Sequence, residues 1–343
     1  MKFDFIIGNP PYQDETIGDN KGFAPPIYHK FLENAYGVGN VVEMIHPARF
    51  LFNAGSTPKQ WNKQMLEDPH LKVLWYEQDS SKVFQNTDIK GGVAVSYHDI
   101  NRDFGAIGTF TSYPELNTIL HKVRDEYFES FSQIVITRTA YRLTDKMHQD
   151  HPEALGQLSK GHAYDMSTNI FERLPQIFFD KKPNDGFEHI RILGRLGNER
   201  VYKYVRSEYV NEVVNLYKYK IYLPKANGIG MLGEALSTPI LSEPAVGATE
   251  TFLSIGAFDS EGEAKSALKY IKTKFARILL GILKTTQDIT PQKWDNVPIQ
   301  DFTASSDIDW SKSVSEIDQQ LYRKYRLTKE EIAFIESRGK EME

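Results

Sequence analysis

Residues Phe3 to Tyr12, Phe-Asp-Phe-Ile-Ile-Gly-Asn-Pro-Pro-Tyr, constrain the fold more than any other stretch of the chain. The apolar run Phe3 to Ile7, aromatic and β-branched and closed by Gly8, predicts a short buried strand. The two prolines after Asn9 fix φ near about −65° and remove two backbone donors, so sheet pairing stops there. The chain therefore leaves a strand on a stiff polar loop that ends on the Tyr12 ring. Asn-Pro-Pro is also good turn chemistry after a strand. Strand, glycine, Asn-Pro-Pro and an aromatic in succession specify more than a turn.

The next residues supply a frame for that loop. Gln13 to Pro26 is polar and rich in Gly, Asp and Asn, and reads as a loop. Ile27 to Tyr36 has helical spacing, Val41 to Ile45 predicts a second buried strand, and His46 to Phe50 is the turn at its end. A helix is expected around Pro58 to Leu66, then strands over Leu71 to Tyr76 and Gly92 to Tyr97. Alternating strands and helices argue for parallel α/β winding. Ligands of such sheets bind outside the carboxyl ends of the strands, where Asn9 to Tyr12 and His46-Pro47 both fall.

Ile7-Gly8-Asn9-Pro10-Pro11-Tyr12, then Ile45-His46-Pro47-Ala48-Arg49-Phe50, then Lys82-Val83-Phe84-Gln85-Asn86 before a Val/Ala strand resemble motifs IV, VI and VIII of adenine-specific DNA methyltransferases. The spacing is similar to that of the TaqI-like enzymes of restriction-modification systems, over roughly residues 1 to 100. The resemblance implies N6-adenine methylation with S-adenosylmethionine (SAM) as donor. Asn9 and the Pro10 carbonyl would accept the two N–H bonds of the exocyclic amine, and Pro11 would shape the loop beside the donor. So held, the nitrogen can turn its lone pair toward the methyl group. Tyr12 and Phe84 would stack on the base once it has left the duplex; Gln85 stands where the family pattern has proline. His46 is assigned a packing or capping role.

The SAM half of such enzymes needs a strand, a Gly-rich turn and an acidic residue on the next strand. Chain order places it before Phe3. Tyr36 to Asn40 reads as a helix stop, and neither Asn227 to Gly230 nor Ser254 to Asp259 makes a convincing SAM turn. Most of the SAM site is therefore expected outside this chain. A second polypeptide carrying the SAM-binding half, or self-association, is expected to cover the edge beside Phe3 to Ile7.

Pro114 to Tyr127 has helical periodicity and reads as a link. From Ile134 onward short β-like runs carry many aromatics, at Ile190 to Leu193, Val201 to Val205, Leu216 to Leu223 and Thr251 to Ile255. The resemblance makes this the target-recognition domain. Arg191, Arg195, Arg200, Lys203, Arg206, Lys218, Lys220 and Lys225 face only Glu199, Glu208 and Glu212 there, in a chain of net charge −5. Interleaved with Tyr202, Tyr204, Tyr217, Tyr219 and Tyr222, they are the candidate contacts to double-stranded DNA. The wet face of an antiparallel sheet gives the same alternation. Lys284 to Pro291, after a long amphipathic helix over Glu261 to Leu283, is either a structural cap or a base-reading loop. Ser313 to Tyr325 and Thr328 to Arg338 predict two short helices, the second opened by a capping box with Glu331.

The organisation read from the chain is a catalytic half over 1–110, a linking helix over 111–132, a target-recognition domain over 133–300 and a helical tail over 301–343. The fold class expected is α/β. It comprises a partial Rossmann-like methyltransferase sheet, the motif IV to VIII half, followed by a mixed α+β domain. With no cysteine there are no disulfides or thiolate metal sites, and no metal site is expected. No signal peptide or membrane span is read, so the expected location is the cytoplasm. The rival to an enzyme is a non-catalytic DNA-recognition subunit with a vestigial adenine pocket; a methylase of protein glutamine or RNA is a third reading.

Overall fold

The computed structural model describes residues 2–14, 24–85, 87, 89–124, 127–197 and 199–342. The middle of the Gln13 to Pro26 loop, residues 15–23, and Asn86 lie outside them. The chain divides into two compact units, Met1–His121 and Lys122–Glu343.

The first unit is built on a four-stranded sheet. In chain order its elements are β1 (Phe3–Gly8), α1 (Tyr28–Val38), β2 (Gly39–Pro47), α2 (Lys59–Glu67), β3 (Leu71–Glu77) and β4 (Val93–Asp99), and the strands lie side by side as β1-β2-β4-β3. β1 and β2 are parallel, with Phe5 opposite Val41 and Ile7 opposite Glu43. β4 runs antiparallel to both its neighbours. The winding is thus mixed and not wholly parallel as expected. The α2 crossover carries β3 two positions past β2, leaving a gap of one strand. Residues 78–92 then turn back through a 3-10 turn at Ser80–Lys82, and β4 fills the gap antiparallel.

One face of this sheet is covered. Tyr28, Leu32 and Ala35 of α1 and Trp61 and Met65 of α2 pack with Val42, Met44, Leu71 and Ala94 of the strands. Ile6 joins this cluster, which by the two-residue strand period turns its neighbours to the other face. There Phe3, Phe5 and Ile7 are 53%, 58% and 74% exposed, on a strand paired along one edge only among the described residues.

Helix α3 (Pro114–Val123) ends the first unit and runs two residues into the second, which is mixed α+β. Strand β5 (Val135–Ile136) precedes three short helices, α4 (Asp145–Asp150), α5 (Ala154–Gln157) and α6 (Ile170–Arg173). β6 (His189–Leu196) and β7 (Glu199–Arg206) form a hairpin, followed by β8 (Tyr219–Pro224), β9 (Ile240–Ser242), β10 (Val246–Ala248) and β11 (Phe252–Phe258). They make two sheets, β10-β6-β7 and β5-β11-β8-β9. A shared core of Tyr141, Met166, Phe171, Ile192, Val205, Tyr222 and Phe252 joins them.

The amphipathic run Glu261 to Leu283 is two helices and not one, α7 (Glu261–Lys272) and α8 (Lys274–Leu283). Thr273 turns the chain out of helical geometry and its hydroxyl accepts the Ala276 amide. The buried Asp318 carboxylate accepts those of Lys274 (3.0 Å) and Phe275 (2.9 Å). A new helix start with its orphan amides satisfied replaces the continuous turn. Asp318 comes from α9 (Val314–Lys324), and α10 (Lys329–Arg338) follows, each opened by a capping box. Ile317, Leu321, Tyr322 and Ile335 are buried, so these helices are packed elements of the unit and not a solvated tail.

Candidate active site

The loop Asn9 to Tyr12 leaves the carboxyl end of β1, and the turn Pro47 to Asn53 leaves the same end of the parallel neighbour β2. Because β4 is antiparallel, the loop before it arrives at that end too, bringing Ile89 and Lys90. These three segments, with Tyr28 and Gly55 to Thr57, line a cavity of about 260 Å³. That is slightly below the usual ~300–1,000 Å³ of small-molecule sites. Tyr12 forms part of its wall. On the other side of the same loop, Gly8, Asn9, Pro10 and Pro11 line a wider opening of about 450 Å³ with Phe31, Asn34, Ala35 and Val38 of α1 and Met44 of β2. The Asn-Pro-Pro-Tyr loop is thus a partition between a half-open cavity and a wider, mainly apolar opening.

Within the partition Pro10 is buried, whereas Asn9 and Pro11 are exposed and Tyr12 is half-buried. The Asn9 side chain therefore reaches solvent from a fixed backbone. The structure brings together Tyr12 and Phe84, 72 positions apart in sequence numbering but with ring centroids 6.2 Å apart and planes at 67°. This is an edge-to-face contact, without a parallel slot between the rings. The Tyr12 hydroxyl is buried with no partner among the described residues, and burial pushes its pKa up to about 12. It is a neutral donor, not a base.

Beneath Tyr12 the wall is aromatic and cationic. Tyr28 is buried and its ring stacks parallel to His46, centroids 6.0 Å apart. Burial raises the Tyr28 pKa to about 12, against the opposing pull of Thr57 and the Arg49 charge. His46 is wholly buried between the Pro47 carbonyl and the Ser96 hydroxyl (3.1 and 2.9 Å). Burial depresses its pKa to about 4, so it is a neutral packing group at pH 7. Arg49 was not singled out by the sequence. Its Nε donates to the Lys90 carbonyl, and its aliphatic stem runs between Gly55 and Gly91, both at positive φ. A Cβ at Gly55 would meet Arg49 Cβ and Cδ at 3.1 Å, and one at Gly91 would meet Cγ at 2.8 Å. The signal for Arg49 was only its place after the His-Pro turn.

The eight basic residues of the second unit fare differently from one another. Arg191 pairs with Glu243, Lys203 with Asp180, Lys218 with Asp259 and Arg206 with Asp185, and Arg206 also lies over the Phe187 ring. Arg195 and Arg200 are exposed and face each other across the β6–β7 hairpin. Arg200 donates to the Thr238 carbonyl. Lys225 is half-buried, its backbone bonded to Thr251 and Ile289. Lys220 corrects the expectation of a DNA contact. It is wholly buried, and its ammonium donates to the carbonyls of Asn215, Leu216, Lys218 and Glu243. Desolvation lowers its pKa to about 7. A charge spent on four carbonyls inside a sheet cannot reach a phosphate.

Lys284 to Pro291 begins on a buried lysine. Lys284 pairs with Glu234, which also accepts the Ile229 and Gly230 amides, so the Asn227 to Gly230 turn is a structural clasp. Thr285 to Asp288 remain exposed beyond it.

Residues 1–84 match the model of the Eco57I restriction-modification methylase family. A protein of Mycoplasma pneumoniae described as an uncharacterized adenine-specific methylase is 32% identical over 95 residues, which are 27% of this chain and 22% of that protein. The chain thus spans about a fifth of the length of this curated relative. Among solved structures, the type IIG restriction endonuclease BpuSI aligns with 95% of this chain and 49% of its own, at 11% identity and a TM-score of 0.28. The type IIL restriction-modification enzyme MmeI aligns with 98% and 56%, at 8% identity and 0.33. Superpositions this loose fix no fold relationship. The likeness to restriction-modification adenine methylases holds for the segment that carries the partition loop. Among the described residues, no helix is long and apolar enough to cross a membrane.

Proposed function

We propose that this chain carries the target-base half of an N6-adenine DNA methyltransferase of a restriction-modification system. The reading rests on one observation: the Asn9 to Tyr12 loop divides a half-open cavity walled by Tyr12 and Tyr28 from a wider apolar opening. In the family, such a loop holds the amine by the Asn oxygen and the Pro carbonyl. Here Asn9 Oδ1 and the Pro10 carbonyl would accept its two N–H bonds, with the adenine ring on the Tyr12 side and its nitrogen turned toward the open side. The rate gain would come from positioning and not from a strong base, which agrees with a neutral Tyr12 and a neutral His46.

SAM would supply the electrophilic methyl group from the open side. The residues there, Phe31, Ala35, Val38 and Met44 with Asn9 and Asn34, do not make a SAM site, because none offers a carboxylate for a ribose diol. The donor is therefore assigned to polypeptide outside this sequence that covers the exposed edge of β1. Sequence reading is assigned to the second unit, with Arg195 and Arg200 as its best-placed exposed cations, and double-stranded DNA as the substrate.

The test is expression in a host free of adenine methylation, of the chain alone and with the product of a neighbouring reading frame, followed by mass spectrometry of digested genomic DNA. N6-methyladenine in the pair, absent with Asn9→Ala, is the expected result. No methylation in any combination, with the chain still selecting one duplex sequence from a random pool, makes it a recognition subunit.

A further inference from the structure

We propose that Arg49 takes the phosphate of the nucleotide whose base enters the cavity beside Tyr12, so that the cavity recognises a nucleoside monophosphate unit rather than a bare base. This rests on the base-pocket reading above and extends it to a residue with no role there.

The charge of the cavity is the first argument. Its described lining residues include the Arg49 guanidinium and no carboxylate. Adenine is neutral. It requires hydrogen-bond acceptors and a stacking surface, which the partition loop provides, and has no use for a cation. An extruded nucleotide brings its own anion, the phosphodiester beside the flipped base.

The second argument is how Arg49 is held. An arginine that serves solubility is left free to move; this one is clasped along its stem by Gly55 and Gly91 and anchored at Nε by the Lys90 carbonyl. The anchor takes one of five donors and leaves the two Nη groups, a planar fork that fits two phosphate oxygens. Ser56, exposed in the same lining, adds a hydroxyl, while the Thr57 hydroxyl is committed to Asn62 (2.7 Å). Tyr12, Tyr28 and Pro47 supply the flat apolar part. The fixed Arg49 cation and the two tyrosine rings thus line one cavity.

Saturation-transfer NMR on the full chain with AMP, adenosine and inorganic phosphate tests this. AMP should bind at least about tenfold more tightly than adenosine, the scale of one charge-assisted bond. That preference should fall with rising salt. Arg49→Met should remove it and leave adenosine binding within about twofold, whereas Arg49→Lys, which keeps the charge without the fork and anchor, should retain part of it. A mixed-sequence single-stranded oligonucleotide competing with AMP for the same signal identifies the source as DNA; no competition restricts the site to the free nucleotide and overturns the assignment. Equal binding of AMP and adenosine by the wild type overturns the proposal, as does an Arg49→Met variant that loses both equally. Absence of any AMP binding overturns it too. If Arg49→Met melts early, Ser56→Ala must reduce the preference for AMP, or the proposal fails. The methylation assay reads the pocket assignment separately. Methylation lost in Asn9→Ala with no AMP preference sinks only the phosphate site. An Arg49-dependent preference without methylation sinks only the methylase reading.

Discussion

The Tyr12 and Phe84 rings touch edge to face, centroids 6.2 Å apart, across a loop-to-loop contact that leaves no room for a third ring. A base sandwiched between two faces needs them about 7 Å apart and parallel, two van der Waals contacts of about 3.5 Å. One ring must therefore swing when the base enters. Phe84→Ala should lower methyl transfer about 10- to 100-fold, the scale of one stacking face. The half-buried Phe84 should shift the melting temperature little. Transfer unchanged in Phe84→Ala would leave Tyr12 as the sole platform.

His46 makes stability depend on pH. The folded chain holds it neutral with a pKa of about 4, whereas unfolded histidine binds a proton below about 6.5. Between these values the unfolded state binds more protons, so stability falls as pH drops from 6.5 to 4 and levels off below 4. The loss from this residue is about 3 kcal/mol. Chemical denaturation at pH 7 and pH 4 should show it, and His46→Gln should flatten that part of the curve.

Lys220 and the hairpin arginines should separate cleanly. Lys220→Met strips a cation from four buried carbonyls and should cost roughly 2–4 kcal/mol of stability. Arg195→Ala and Arg200→Ala should leave stability within about 0.5 kcal/mol. Each should lower duplex affinity and reduce the salt slope by about one. Calorimetric melting with fluorescence anisotropy at two salt concentrations distinguishes the classes. A Lys220→Met variant that folds normally and loses only DNA binding would reverse the assignment.

The exposed face of β1 should behave as an interface. Phe5→Lys with Ile7→Lys adds charge where both side chains already meet solvent, so the melting transition should hold. Sedimentation should show the wild type associating with itself or with its partner, and the double variant remaining monomeric. A double variant that unfolds would mean the face is part of the core.

How much of this the sequence reveals depends on range. The strand before Asn9 is legible because its signal is local: an apolar run, a glycine and two prolines. The candidate site is legible at Asn9 to Tyr12 for the same reason. Lys220 is misread because Tyr217 to Tyr222 alternates like a solvated strand. What buries Lys220 is the bend at Asn215 to Lys218, whose carbonyls face its ammonium, together with Glu243 from 23 residues on. The break at Thr273 depends on Asp318, 45 residues later, and periodicity alone continues the helix. Arg49 hides because its role needs Gly55 and Gly91, two ordinary loop glycines until they are seen to enclose one side chain.

That enclosure makes three distant positions a single unit of inheritance. A side chain at Gly55 or Gly91 would crowd the Arg49 stem and strain a positive-φ backbone, so Arg49 keeps its place most easily with both glycines. Drift at any one of the three penalises the other two. Among descendants of this chain they should be kept together or discarded together.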